Sequence, residues 1–489
     1  MFSRKRLIRR AVGLLAWTGI LTFQDIEVRA QGKKPNFLFI IADDVTYEGV
    51  QALGDLNIRT PNLDRLVREG TTFTHAYNMG AWRGGVCTAS RTMLNTGMYL
   101  WKSQRHAEVI PAEEWRTYPF WSKTMSKAGY ETYFTGKWHV KRINPKNLFD
   151  HVSDVRGGMP NQTKEGYFRP KHENDTSWLP WDKSKRGFWK GGQHWTEKLA
   201  DTGRRYIRQA AKSEKPFFMY LAFNAAHDPR QAPKSYVDSY PVGGVKTPEN
   251  FMAEYPDFET LFPDGKMRDE NLAPFPRTEY SIKVNRREYY ALITYMDEQL
   301  GRILDALEES GQVDNTYIVF TADHGLAVGR HGLLGKQNMY DHSLRVPFMI
   351  LGPKIPKGKK IDTPMYLQDA MPTALEVAGI PKPDYVRFKS VLPVIRGERK
   401  SNLDAVYGAF MANQRCVIDD GYKLILYPGK GTVKLFDLGK DKSEMVNLAG
   451  KPKYRKRIRR LYGTLKELQK ENSDTLKLDK YYPQLVSGI

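Results

Sequence analysis

At 489 residues, with 40% hydrophobic and 27% charged side chains, the chain is long enough for one large α/β domain and a smaller companion, and its composition excludes a disordered polymer. Two cysteines, Cys87 and Cys416, exclude a disulfide framework, so packing must supply the stability. The formal net charge of +21 favours an anionic partner such as a sulfated glycan, a nucleic acid or an anionic membrane, although a solvated surface accounts for much of such an excess.

Residues 1–30 read as a secretory signal peptide. Arg4, Lys5, Arg6, Arg9 and Arg10 form a basic head, Ala11 to Leu21 an apolar run, and Val28-Arg29-Ala30 a small-residue end. The run is too short to cross a bilayer comfortably and no later segment reaches the required length, so an exported protein, periplasmic or extracellular, with no stable membrane span is expected. The Arg9-Arg10 pair also admits a twin-arginine route. These residues hold six basic and two acidic side chains, a net +4, which leaves +17 of the +21 on the mature chain. No nucleic-acid-binding motif accompanies that excess, so nucleic acid is not an expected partner.

Phe37 to Ala42 is a continuous apolar run, the pattern of a strand buried on both faces of a parallel sheet, and it ends on Asp43-Asp44. Adjacent carboxylates at the carboxyl end of such a strand sit where open α/β sheets bind ligands, and their repulsion asks for a cation; a capping pair at a turn is the plainer alternative. Thr60, as N-cap before Pro61, starts a helix that stops at Gly70, and Thr71 to Tyr77 reads as a strand. Gly84-Gly85 then delivers Cys87 to the first turn of a helix that runs to Thr96, with Gly97 as its stop. Unpaired backbone N–H groups there favour negative charge, and Arg91, one turn on, adds a permanent cation. Cys87 is therefore a candidate nucleophile or anion-site residue, with a small buried hydrophobe as the other reading. Trp82 and Arg83 before it either look toward a substrate or simply pack.

Glu131 to Thr135 is the next strand and leads into Gly136-Lys137-Trp138-His139, where an extended backbone would put Lys137 and His139 on one side. Between Phe149 and His194 a long polar insertion carries Trp178, Trp181 and Trp189, with Trp195 just after it; these rings either stack on sugar faces or pack the loop down. Phe217 to Phe223 is a third buried strand, followed by Asn224-Ala225-Ala226-His227-Asp228-Pro229. A helix from Glu288 to Glu309 lines up Leu292, Met296, Leu300 and Ile303 on one face and is expected to cover the sheet without contributing to a site. Tyr317 to Thr321 is the fourth buried strand and ends on Asp323-His324-Gly325, so with Asp43 and Asp44 three carboxylates and an imidazole gather at one sheet edge. Lys336 follows on a loop, Arg345 to Ile350 returns as a strand, and Met365 to Ala378 is a helix. Pro381 to Lys400 reads as a link. Beyond it Ala405 to Ala409, Arg415 to Ile418, Lys423 to Tyr427 and Val433 to Asp437 form a small antiparallel sheet, with Cys416 structural. A closing helix from about Lys453 to Glu471 buries Ile458, Leu461 and Leu465, and its basic outer face is read as solvated before it is read as a polyanion seat. The expected fold is α/β: a large mixed, mostly parallel sheet sandwiched by helices, with a small C-terminal antiparallel sheet plus helix. The expected division is 1–30 leader, 31–400 catalytic domain and 401–489 α+β subdomain.

Cys87-Thr88-Ala89-Ser90-Arg91 followed by Thr92-Met93-Leu94-Asn95-Thr96-Gly97 resembles the signature of the formylglycine-dependent (type I) sulfatases of the alkaline phosphatase superfamily, with Ala89 where Pro is more usual. Asp43-Asp44, Gly136-Lys137-Trp138-His139, His227, Asp323-His324 and Gly335-Lys336 occur in the order of that family, so the resemblance covers most of Asn36 to about Lys400. It implies that a maturation enzyme converts Cys87 to formylglycine. It also implies one divalent ion, usually calcium, held by Asp43, Asp44, residue 87, Asp323 and His324, the last standing where asparagine is commoner. The implied mechanism has hydrated formylglycine attack sulfur while Arg91, Lys137 and Lys336 neutralise charge on the sulfuryl oxygens and His227 protonates the departing oxygen. His139 then takes the proton of the second hydroxyl, and the sulfate leaves by C–O cleavage. Hydrolysis of a sulfuric ester is thus implied, with a sulfated carbohydrate favoured by the leader, the basic mature chain and the tryptophan-rich loop. A phosphodiesterase or phosphonate monoester hydrolase with the same site and a non-catalytic anionic-glycan-binding protein are the alternatives.

Overall fold

The computed structural model describes residues 33–54, 56–160, 163–262 and 267–486, and the leader reading of residues 1–30 lies outside the described residues. The largest sheet has eight strands in the order Lys359–Ile361, Thr71–Phe73, Phe348–Leu351, Thr316–Ala322, Asn36–Ala42, Phe217–Ala222, Glu131–Lys137 and His151–Arg156. Asn36–Ala42 lies in its middle and runs parallel to both neighbours, with Ile41 opposite Thr321 on one side and Ala222 on the other. All of its residues are buried, which is why its sequence shows no alternation. Among the described strands of this sheet, Phe348–Leu351 alone runs against its neighbours. Phe37 and Phe39 pack edge-on against Trp121 on one face. On the other, Gly203 of the helix Trp195–Ala210 lies over Leu221, and that helix packs in turn on Glu279–Glu309. The sheet is therefore sandwiched, and residues Pro35–Ile489 form one compact unit.

Two expected strands are each divided between sheets. The Thr71 to Tyr77 stretch breaks into Thr71–Phe73, in the large sheet, and Ala76–Tyr77, the middle of a three-stranded sheet between Met365–Tyr366 and Arg345–Val346. Pro347 divides the return strand in the same way, because it has no N–H to give a ladder, and Phe348–Leu351 resumes in the large sheet. The Met365 to Ala378 helix consequently starts late, at Ala370. The long helix starts earlier than its apolar pattern indicates, at Glu279, because Thr278 and Ser281 form a reciprocal cap. Thr60 does not cap in the expected way: its hydroxyl accepts from Gln51 N at 2.8 Å instead of from the helix. The Pro381 to Lys400 stretch is no loose link, since Val386, Phe388 and Val391 are buried in the core.

The C-terminal strands form a sheet in the order Thr432–Asp437, Tyr422–Tyr427, Gln414–Asp419, Val406–Phe410 and Gly80–Ala81. The first four are antiparallel, as expected. The fifth comes from the stretch just before Cys87 and pairs parallel with Ala409 and Phe410. The small sheet thereby grips the base of the cysteine segment. The helix Arg455–Glu471 covers it with Ile458, Leu461 and Leu465.

Candidate active site

The carboxyl ends of the central strands bring the chemistry together. Asp43 and Asp44 follow Asn36–Ala42, Asp323 and His324 follow Thr316–Ala322, and the three carboxylates and the imidazole are fully buried. Asp323 N donates to Ala42 O at 3.2 Å, and Asp43 N to Ala225 O at 2.8 Å, so the three strand ends are laced side by side. Asp44 takes the left-handed conformation, φ 61°, which turns the chain sharply. Tyr289 holds that turn: its hydroxyl donates to Asp44 O at 2.7 Å and accepts from Thr46 N at 3.1 Å. The helix Glu279–Glu309, expected only to cover the sheet, thus also braces the site.

Cys87 sits in the first turn of the helix Val86–Thr96, which is buried along its whole length and ends at Gly97 in the left-handed conformation. Its Sγ lies 3.2 Å from His324 Nε2 and 3.6 Å from Lys336 Nζ. Burial pushes the thiol up, but Lys137, Lys336 and His324 outweigh it and hold the thiol well below its ordinary value. Arg91, on the same helix face, is spent on bracing: Nε donates to Asp323 Oδ2 at 2.8 Å and Nη1 to Lys137 O at 2.9 Å. Its Nη2 has no partner among the described residues.

Lys137 and His139 both reach the site, though not by the alternation of an extended strand. Gly136 adopts φ +103° at a break in register, where an added Cβ would lie 1.9 Å from Ala222 O, and His139 itself has φ 53°. Lys137 Nζ then pairs with Asp43 Oδ2, while His139 Nε2 shares a hydrogen bond with Thr88 Oγ1 at 3.0 Å. Gly158 lets the His139 ring lie close, since a Cβ there would come within 2.5 Å of it. Burial lowers His139 to about 4, so the ring is neutral at ordinary pH and able to accept a proton.

His227 also reaches Cys87, for one of its ring nitrogens, Cys87 Sγ and an Asp44 carboxylate oxygen lie within 4.8 Å of one another. Its Nδ1 lies 3.1 Å from Asp228 Oδ1 and its Nε2 3.2 Å from Lys336 Nζ. Burial and Lys336 push its proton off, but the carboxylates of Asp44 and Asp228 prevail and raise it to about 10. Lys336 Nζ donates to Asp44 Oδ1 at 2.7 Å, and its loop is pinned by Glu270, which accepts from Leu334 N and Gly335 N.

The residues fit a bound cation. Asp43 Oδ1 and Asp44 Oδ2 are buried acceptors with no hydrogen-bond donor among the described residues, an expensive state unless something else meets them. Asp43, Cys87, Asp323 and His324 place one donor atom each within 4.8 Å of one another. His324 Nδ1 hydrogen-bonds Gly325 O at 2.9 Å, which leaves Nε2 turned toward Asp44 and Asp323, at 3.2 and 3.4 Å. Burial opposes the charged imidazole, but Asp323 raises His324 to about 9, and ligation would release that proton.

Every residue singled out in the sequence for this site therefore converges on it. The residues the sequence left without a role are Thr88, Asp228 and Tyr289, which act through side-chain partners distant in the chain or, for Asp228, through mere adjacency to His227. Of the four tryptophans in and just after the insertion, three resolve toward packing, while Trp181 stays half-buried with Lys234 over its ring at 5.2 Å. Trp178, Trp189 and Trp195 are buried, with Arg169, Lys183 and Arg156 laid over their rings at 5.1, 5.1 and 4.6 Å. Trp82 also packs, its Nε1 donating to Glu108 Oε1 at 2.8 Å.

The profile of the family described as Sulfatase matches residues 35–380, well over half of the chain. This chain belongs to the sulfatase family. A second profile, N-sulphoglucosamine sulphohydrolase, C-terminal, matches residues 329–471 of the sulfatase. An arylsulfatase of Clostridium perfringens is 31% identical to it over 484 residues, which is 92% of this chain and 98% of that one. An N-acetylglucosamine-6-O-sulfatase of Bacteroides thetaiotaomicron is 26% identical over 521 residues, covering 91% and 88%. A solved structure in complex with D-glucosamine-2-N,6-O-disulfate shares the fold at a TM-score of 0.72 and 23% identity, covering 92% of this chain and all of that one. The sulfatase is thus a type I enzyme of the alkaline phosphatase superfamily, a hydrolase of sulfuric esters. No helix among its described residues is long and apolar enough to cross a membrane.

Proposed function

We propose that this sulfatase is exported, matures by conversion of Cys87 to formylglycine, and removes sulfate from a sulfated carbohydrate. The observation that carries the reading is the convergence of Arg91, Lys137, Lys336, His139 and His227 around Cys87, beside carboxylate oxygens that no donor among the described residues meets. Asp43, Asp44, Asp323 and His324 would hold one divalent ion, calcium by the family's precedent, which when bound acidifies a hydroxyl and neutralises charge on the ester.

The protein side chains divide the remaining work. Three cations, Arg91, Lys137 and Lys336, already balance three carboxylates, so any bound cation makes the site net positive and ready for an anionic ester. Lys137 and Lys336 face the sulfuryl oxygens, and Arg91 holds Asp323 and the end of the Glu131–Lys137 strand in place. His227, protonated, donates to the departing sugar oxygen through Nε2, with Asp228 fixing its ring. His139, neutral, takes a proton from residue 87. Two histidines whose surroundings push their proton affinities in opposite directions are what an acid and a base of one reaction require.

The carbohydrate rests on the names of relatives, the N-acetylglucosamine-6-O-sulfatase and the solved complex with a sulfated glucosamine, and on the basic chain. The buried tryptophans of the insertion lend it no support. Export rests on the leader in residues 1–30. The decisive experiment is the mass of the Cys87 peptide from protein made in the native host, together with kcat/KM on 4-nitrophenyl sulfate, sulfated N-acetylglucosamine and a phosphonate monoester. An aldehyde at position 87 and preference for the sulfated sugar are expected. An unmodified thiol in active protein ends the formylglycine reading, and preference for the phosphonate ends the carbohydrate one.

A further inference from the structure

A cleft of about 1330 Å³ opens beside the cysteine segment, between the helix Leu100–Glu108 and the stretch from Ser473 to Tyr481, with Trp82 and Met411 also in its lining. Its charge is one-sided. Lys102 and Arg105 come from the helix, and Lys477 and Lys480 from the facing stretch; all four are exposed, and none has an ion pair among the described residues. Of the two acids lining the cleft, Asp474 is already locked to Arg415 by two hydrogen bonds of 2.7 and 2.9 Å, so Glu114 is the one acid left facing four cations. The cations are held on a firm base, because Leu478 between the two lysines is buried and the Arg415–Asp474 pair pins the stretch before them.

The cleft also carries aromatic surface. Trp101 stands half-buried in its lining, its indole N–H bonded to Tyr407 and its ring covered by Arg415 at 4.8 Å, while Tyr481 is 43% exposed. Aromatic faces and spaced cations in one concave surface are the complement of a sugar chain bearing anionic groups. Lys451, Arg455, Lys456 and Arg459, at and just before the start of the helix Arg455–Glu471, are likewise four exposed cations with no ion pair among the described residues, and they lie outside this cleft, which makes them a natural control.

The cleft lies near the site along the chain. Trp82 precedes Cys87 by five residues, so it lies within about 18 Å of it even if that chain were fully extended. The intervening Arg83 and Gly84 are exposed, and a Cβ at Gly84 would meet nothing within 4 Å, so the path starts at the surface before the chain turns inward at Val86 and Cys87. Gln337, next to Lys336, donates to Gly84 O at 3.2 Å and ties this path to the site loop.

We propose that this cleft binds the continuing chain of a sulfated oligosaccharide whose terminal or internal sulfate ester is presented to residue 87, so that the enzyme's substrate class is a polyanionic glycan and not a lone sulfated sugar. The proposal rests on the sulfated-carbohydrate reading above. A nucleic acid would meet the same cations, but a cleft within about 18 Å of a sulfate-ester site serves the polymer that carries those esters.

The test uses the full chain, matured, as wild type, as Lys102→Ala/Arg105→Ala/Lys477→Ala/Lys480→Ala, and as the control Lys451→Ala/Arg455→Ala/Lys456→Ala/Arg459→Ala. Binding of a heparin-derived dodecasaccharide, and separately of an ι-carrageenan hexasaccharide, is followed by calorimetry at two salt concentrations, and a single-stranded dT12 oligonucleotide serves as the rival polyanion. The cleft variant is expected to lose about ten-fold or more in affinity for at least one glycan and to lose much of its salt dependence, while the control changes little. Turnover of 4-nitrophenyl sulfate should be the same in all three proteins. Equal losses in the two variants, or no loss in the cleft variant, overturn the proposal. So does dT12 binding as tightly as the better glycan and being lost with the same four side chains. Failure of wild type to turn over 4-nitrophenyl sulfate would strike the sulfatase site itself and is read separately from the binding arms.

Discussion

Around Asp474 each carboxylate oxygen is met: Arg415 donates to both, Tyr407 and Gln469 add bonds of 2.8 and 2.6 Å to Oδ2, and Leu476 N adds one of 3.2 Å to Oδ1. At the carboxyl ends of the central strands Asp43 and Asp44 are more deeply buried, yet each keeps one oxygen that no donor among the described residues reaches. Desolvating a carboxylate costs several kcal/mol, so a charged cluster that closes on itself joins two parts of the chain, whereas one left incomplete keeps a place for something the chain does not supply. The Arg415–Asp474 pair itself should answer to stability measurements, and the carboxylates of the second cluster to activity and metal binding. Single substitutions that cross those categories would break the comparison.

The largest effect is expected at Cys87. Cys87→Ala should lower turnover of any sulfate ester by about 10⁴-fold or more, because the group that forms the covalent bond is gone. Its unfolding midpoint should stay near that of the wild type, since a small side chain is exchanged for a smaller one. Substantial residual hydrolysis would remove position 87 from the reaction. Next is His227, whose role as proton donor makes a specific demand. An alkyl sulfate leaves as a strongly basic alkoxide, while 4-nitrophenyl sulfate leaves as an already stable phenolate. His227→Ala should therefore cost about 10²–10⁴-fold on a sulfated sugar and far less on the nitrophenyl ester. Equal losses on the two would mean that His227 positions the sulfate and does not protonate the sugar.

Much of this was legible in the residues. A strand buried on both faces must be apolar throughout, so Phe37 to Ile41, Phe217 to Leu221 and Tyr317 to Phe320 announce both the sheet and its ends, and polar groups just past those ends announce the site. What escaped has a common cause. Pro347 cuts a strand whose halves then join different sheets, and Gly80–Ala81 pairs with a strand more than three hundred residues on, a contact no local pattern encodes. The first turns of the helix Glu279–Glu309 were hidden because Asn285 and Arg286 are buried against polar partners, Arg230 and Val328 O, instead of apolar ones. Tyr289 and Thr88 belong to the site only through partners set by tertiary packing.

The structural cluster is tested by Arg415→Met. It leaves Asp474 buried beside Tyr407 and Gln469 without its countercharge, and such a loss typically costs about 3–5 kcal/mol of stability. Chemical denaturation should show it, while kcat/KM for 4-nitrophenyl sulfate per folded molecule should hold. A stable but inactive Arg415→Met would place this pair in the reaction and dissolve the contrast between the two clusters. Replacing both Arg415 and Asp474 with apolar residues of similar size should recover much of the stability, because no unpaired charge is then left inside.

The smallest effect is the most diagnostic, because it asks the incomplete cluster what it is waiting for. Asp323→Asn keeps an oxygen for Arg91 Nε but leaves that buried guanidinium without its countercharge, so the chelator-treated variant should be less stable than chelator-treated wild type, and each protein is therefore compared with itself with and without calcium. What it removes is a negative charge from the donor set, which should weaken affinity for a divalent ion by about 10–100-fold. Binding to the native state alone stabilises by RT ln(1 + [L]/Kd), so calcium at a hundred times the wild-type Kd should add about 2.7 kcal/mol to the wild type. A variant whose Kd has risen to the calcium concentration itself should gain only about 0.4 kcal/mol. Thermal unfolding with and without calcium reads this difference without any catalytic assay. If calcium raised both proteins equally, the ion would be bound elsewhere, and the unmet oxygens of Asp43 and Asp44 would need another explanation.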